Sequence, residues 1–166
     1  MNFISDQLKL NSALGSSLIA IILAVFIVFL FLVIKKHYLE AILNLITVLS
    51  YPLSLALKNI FKEPRPSLIN VNVYTKYDIY GFPSSHVFFY TVFWGFLIYL
   101  TFRDVIKDKL FKHVIRIVSI YMITFVGISR VVLKAHWIGD VMGGYFFGLM
   151  YLAILIKKII ILLRKS

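Results

Sequence analysis

His136 and Asp140 stand four residues apart in the run Ser129-Arg130-x5-His136-x3-Asp140, a spacing that puts two side chains on one face of a helix. There the carboxylate can hold one imidazole nitrogen and leave the other nucleophilic, the general layout of covalent catalysis by an oriented side chain. As a pair alone, they equally describe two buried polar groups that satisfy each other. A second histidine, His86, follows Pro83-Ser84-Ser85 at the start of an apolar stretch. A serine after proline is a natural N-cap, and the first N–H groups of the helix, from Ser84, Ser85 and His86, are orphan donors at a positive end that suits an anion. His86 is either a polar residue at an interface or, as an ionisable group entering a span, a functional candidate. The third cluster is Lys58-Asn-Ile-Phe-Lys-Glu-Pro-Arg65-Pro66. Its prolines hold Arg65 extended and outside any helix. A planar guanidinium beside a compact ammonium suits phosphate oxygens, although two basic residues at a helix end also serve as snorkelling anchors.

The elements that must position these residues are membrane helices. The 166 residues are 61% hydrophobic and 16% aromatic, with mean hydropathy +0.92, too apolar for a soluble domain. Five stretches are long and apolar enough to span a bilayer: 16–34, 39–61, 84–102, 114–133 and 138–163. The first reads as a retained helix and not a signal peptide, because its leader holds Asp6 and Lys9 and no small-residue cleavage site precedes Lys35-Lys36. Pro52 is expected to kink the second. The net charge of +11 raises the question of nucleic acid, but the basic residues punctuate hydrophobic spans and form no continuous stripe. With no cysteine, disulfides, cysteine-ligated zinc and thiol catalysis are excluded.

Eleven of the 18 Lys and Arg residues, among them Lys35, Lys36, Arg103, Lys107, Lys109, Lys112, Arg116, Lys157 and Lys158, fall on one side of a five-span chain. That side is therefore expected to be cytoplasmic, with the C-terminus there and the N-terminus outside. All three clusters then meet at the outer edge. Residues 62–83 form the one long polar connection, with Tyr74, Tyr77 and Tyr80 suited to the head-group layer.

Taken together, Lys58-x6-Arg65-Pro66, Pro83-Ser84-x-His86 and Ser129-Arg130-x5-His136-x3-Asp140 resemble the tripartite signature of the type 2 phosphatidic acid phosphatase (PAP2) superfamily in order and internal spacing. The resemblance covers residues 58–140 and implies an all-α, polytopic bundle with a PAP2/haloperoxidase-like core. It implies that His136 attacks phosphorus, that Asp140 orients it, and that His86 passes a proton to the leaving oxygen. Lys58, Arg65, Arg130, Ser84 and Ser85 would cradle the phosphate, with no metal and no cofactor. The chain departs from the pattern at Ser85, where glycine is usual, and in having five spans where six are common, as if one N-terminal helix were missing.

The expectation is a single domain, 1–166, of a multi-pass protein of the bacterial cytoplasmic (inner) membrane, its site facing the periplasmic or extracytoplasmic side. The partners expected are the bilayer and a phosphorylated lipid, not nucleic acid. The resemblance allows lipid A, undecaprenyl diphosphate and phosphatidylglycerol phosphate, and the compact form is most like lipid A 1-phosphatases. Lys62, Lys76 and Lys134 would meet further phosphates or stay solvated. A transporter or channel would spread polar residues through the bilayer depth, whereas here ionisable groups gather at the span ends. A family member that binds phospholipid without turnover would be expected to have lost catalytic-type positions, and all are filled.

Overall fold

The computed structural model describes residues 18–66, 80–103 and 105–163. The start of the first predicted span, Lys9, Tyr74, Lys76, Tyr77, Arg164 and Lys165 lie outside the described residues. Six α-helices are described: α1 (Leu18–Ile34), α2 (Tyr38–Ile46), α3 (Ser50–Phe61), α4 (Ser85–Leu100), α5 (Lys109–Val132) and α6 (Ile138–Leu163). A 3-10 turn, Thr47–Leu49, joins α2 to α3.

Three of the five predicted spans are long and apolar enough to cross a membrane on length and composition: Tyr38–Phe61, Lys109–Val132 and Ile138–Lys158. The apolar parts of α1 and α4, Ile21–Ile34 and Ser85–Leu100, are shorter. The outer faces carry large apolar side chains in contact with the surroundings, such as Ile27, Ile117 and Phe146, each more than 60% exposed. Water would not tolerate so continuous a surface, and the chain is a multi-pass membrane protein.

The second span breaks at the 3-10 turn Thr47–Leu49, where the ring and missing N–H of Pro52 disturb the ladder at the Val48 carbonyl four residues back, as expected of that proline. Thr47 Oγ1 donates to the Asn44 carbonyl and Ser50 Oγ to that of Thr47, both at 2.6 Å. The buried face of this span also carries Asn44, Thr47, Ser50 and Ser54, so its middle is less apolar than the sequence suggested. These groups bond locally or to a neighbour; Asn44 Nδ2 donates to the Val25 carbonyl of α1 at 2.8 Å. Helix α5 starts five residues earlier than expected because Asp108 caps it, accepting the Phe111 N–H at 2.6 Å.

Helix α4 is the core, packed against α6, α5 and α3. Both its flanks are buried, through Val87, Phe88, Val92, Phe93 and Phe96. Helix α6 approaches it through Gly144 and Gly148: a Cβ on either would stand 2.8 Å from Cβ of Val87 or Thr91. Such small-residue spacing lets two membrane helices touch backbone to backbone. Sixteen residues of α4 make about 24 Å, short of a hydrocarbon core of about 30 Å.

Candidate active site

The close approach of α6 to α4 builds the site. One turn before Gly144, the Asp140 carbonyl accepts the Ser84 N–H at 3.0 Å, locking the start of α4 to the start of α6. Helix α5 ends in a left-handed Lys134, φ 54°, and the Arg130 carbonyl accepts the N–H groups of both Ala135 (3.0 Å) and His136 (3.2 Å). That turn presents His136 from the loop before α6, not from the helix that its spacing predicted. Asp140 lies in the first turn of α6. Its Oδ2 accepts from His136 Nδ1 at 3.1 Å and from the Trp137 N–H at 3.0 Å. The pair thus forms as expected, but across a helix start, with the carboxylate also filling an orphan N–H of that start.

Burial pushes His136 down to about 4; the charges of Arg65 and Lys58 push the same way, and the Asp140 hydrogen bond opposes them. At neutral pH the imidazole is uncharged. With Nδ1–H directed to the carboxylate, Nε2 carries the lone pair.

Lys58, Arg65 and Arg130 are all buried, and His86, half-buried, lies within electrostatic reach of these three cations and of His136. The structure therefore brings Lys58, Arg65 and Arg130 into one neighbourhood with His86 and His136. Ser84 occupies the N-cap position of α4, but its hydroxyl caps nothing. The Ser84 and Ser85 hydroxyls are buried with no hydrogen-bond partner among the described residues. Ser85 is helical, and the non-glycine residues of positive φ among those described are Lys36, Lys62 and Lys134. Replacing the usual glycine there costs no backbone strain. Lys62 and Lys134 lie exposed at helix ends.

Gly81 and Trp137 were not singled out from the sequence, and Tyr80 was read there only as a tyrosine of the head-group layer. Tyr80 and Gly81 supply carbonyls: Lys58 Nζ donates to both, at 2.7 and 3.1 Å, and Arg65 Nε donates to Tyr80 at 3.2 Å. The Gly81 N–H returns to the Glu63 carbonyl at 2.7 Å, and Pro64 bridges to Tyr80. Trp137 Nε1 donates to the Pro64 carbonyl at 3.2 Å, tying this loop to the start of α6. Backbone carbonyls carry no side-chain signature, so only the position of Gly81 just ahead of the Pro83 motif pointed to them.

Gly81 is required by space. A Cβ there would stand 2.5 Å from Asp140 Oδ2 and 3.2 Å from its Cγ, and that carboxylate, held by two hydrogen bonds, has little room to yield. Gly81→Ala is expected to lower turnover roughly 100-fold, the scale of an ångström-sized misplacement of a catalytic group, with thermal stability changed little. Phosphate release within twofold of the parent chain would contradict this placement.

A helical membrane bundle that gathers buried cations and a carboxylate-held histidine at one end belongs to the class of enzymes that act on anionic groups at the bilayer edge. The PAP2 superfamily profile matches residues 40–160, most of the chain, and the protein belongs to that superfamily. It is a phosphoric ester hydrolase of that group. No curated protein sequence matches the chain. The crystal structure of a transmembrane PAP2-type phosphatidylglycerolphosphate phosphatase from Bacillus subtilis matches with a TM-score of 0.72 at 20% identity, over 93% of this chain and 76% of that one. The shared architecture agrees with the all-helical fold expected from the sequence.

Proposed function

We propose that the protein removes phosphate from a membrane lipid head group through a phosphohistidine at His136. The observation that carries this reading is the Asp140–His136 pair, 3.1 Å apart, buried among Lys58, Arg65 and Arg130. His136 Nε2 attacks phosphorus, the bond from phosphorus to the lipid oxygen breaks, and His86 gives that oxygen its proton. Water then attacks phosphorus while His86 takes a proton from it, the phosphorus–nitrogen bond breaks with its electron pair returning to His136 Nε2, and inorganic phosphate leaves. Asp140 offsets the charge that His136 gains. Lys58, Arg65 and Arg130, with the Ser84 hydroxyl and the Ser85 N–H, hold the non-bridging oxygens, which is most of the catalytic task in phosphoryl transfer. All of these groups are the chain's own, and none of the steps calls for a metal.

The distribution of basic residues supports a site on the extracytoplasmic face of a bacterial inner membrane and a cytoplasmic C-terminus. Among lipids, compactness favours lipid A 1-phosphate, whereas the solved B. subtilis structure is of a phosphatidylglycerolphosphate phosphatase; undecaprenyl diphosphate is the third candidate. Phosphate release from each of these lipids, measured in detergent with EDTA, ranks them. The expected result is EDTA-resistant release from one of them, with base-stable, acid-labile phosphate trapped on the chain. Release that stops with EDTA, or label stable to acid, would overturn the histidine route.

A further inference from the structure

The end of the bundle opposite the catalytic site holds a second cavity, of about 540 Å³, within the range of small-molecule sites. Two connections distant in sequence build it. Lys35 and His37 come from the α1–α2 turn, and Lys107 from the α4–α5 loop. Its floor is apolar, with Val105 and Ile106 both buried, and Phe31 lies beside Lys35, whose Nζ is 6.0 Å from the ring centroid.

Two carboxylates are described nearby. Asp108, in the cavity wall, caps α5 through the Phe111 N–H and keeps its charge, against Lys35 and Lys107 of the same lining. Glu40 is buried with its two oxygens 3.8 Å from Arg103 and His37. Asp104 lies outside the described residues. Two lysines 72 positions apart in sequence line one concavity that also has buried apolar residues. A simple inorganic anion gains nothing from those apolar residues, whereas an amphiphile uses both halves.

We propose that this cavity binds the head group of an anionic phospholipid, with the phosphate between Lys35 and Lys107 and the start of the lipid stem against Val105 and Ile106. The site is separate from the catalytic pocket and adds a lipid contact that turnover does not require.

The test uses the full chain in nanodiscs containing photoactivatable phosphatidylglycerol or phosphatidylcholine, with crosslinks mapped by mass spectrometry. Phosphatidylglycerol is expected to label residues 31–37 and 105–111 in clear preference to phosphatidylcholine. Lys35→Ala with Lys107→Ala should lower that labelling roughly 20-fold, the effect of two charges near a membrane surface, while phosphatase activity is retained and reports intact folding. Lys35→Arg with Lys107→Arg should keep the labelling and serves as the second variant. Equal labelling by the two lipids, or labelling indifferent to the lysines, would overturn the proposal. Loss of labelling on adding millimolar inorganic phosphate would overturn it too, by assigning the cavity to a free anion.

Discussion

His136→Ala is expected to lower kcat by about 10⁵-fold, the scale at which removing a nucleophile leaves only binding and electrostatic catalysis. No other described side chain stands in the same relation to Asp140, so an alternative nucleophile is not at hand. The substitution also empties a buried position, since His136 is 3% exposed, and folding must be read independently. Gel filtration in detergent and lipid-binding affinity should stay near those of the parent chain, because the cations that hold the phosphate remain. An alkaline quench with labelled substrate should trap phosphate on the parent chain and none on the variant. Activity within 100-fold of the parent would place the nucleophile elsewhere.

The contrast with His86→Ala separates the two histidines. A general acid matters most when the leaving oxygen is a poor one, and proton transfer of this kind is worth roughly 10²–10⁴-fold. With an aryl phosphate, whose phenolate leaves unaided, the His86 variant should regain the first step, seen as a burst of phenolate, while hydrolysis of the phosphohistidine, which needs His86 as base, stays slow. The His136 variant should stay inactive on both substrates.

Much of this site was legible because its side chains are ionisable and an apolar chain keeps few of those. Lys58, Arg65, His86, Arg130, His136 and Asp140 stand out against spans of Ile, Leu, Phe and Val, where each charge is costly and needs a reason. The helices were legible on the same ground, since a bilayer dictates long apolar runs. What escaped is what the backbone does. The turn that delivers His136 rests on two N–H groups meeting the Arg130 carbonyl. The loop under the cations rests on the carbonyls of Tyr80 and Gly81. The break in the second span was legible from Pro52, since the 3-10 turn falls one turn before it, but the hydroxyl bonds of Thr47 and Ser50 that accompany it look ordinary in sequence. The early start of α5 escaped similarly: Lys109 and Lys112 read as a polar connection until Asp108 is recognised as a cap.

Asp140→Asn is the sharper probe of how the pair operates. Asparagine keeps the size and keeps an oxygen to accept the Trp137 N–H, so the start of α6 should hold. The negative charge is lost, and with it the preference for the tautomer that exposes Nε2. The same change in a serine–histidine–aspartate triad costs about 10⁴-fold in kcat, and a fall of roughly 10³–10⁴ is expected here. A structural role alone would give a similar loss only through unfolding, so the deciding readout is the ionisation of His136. Asp140 raises it, through its hydrogen bond and its charge, against the burial, Arg65 and Lys58 that hold it near 4. Removing the carboxylate should therefore move the His136 titration midpoint further down, which NMR of labelled histidine can follow. Gly81→Ala supplies the cross-check. Both substitutions act on one carboxylate, so their combined cost should fall well short of the product of the separate ones, as neighbouring sites are non-additive. A His136 midpoint unmoved by Asp140→Asn, together with multiplicative losses in the double variant, would mean that Asp140 shapes the fold and leaves the imidazole alone.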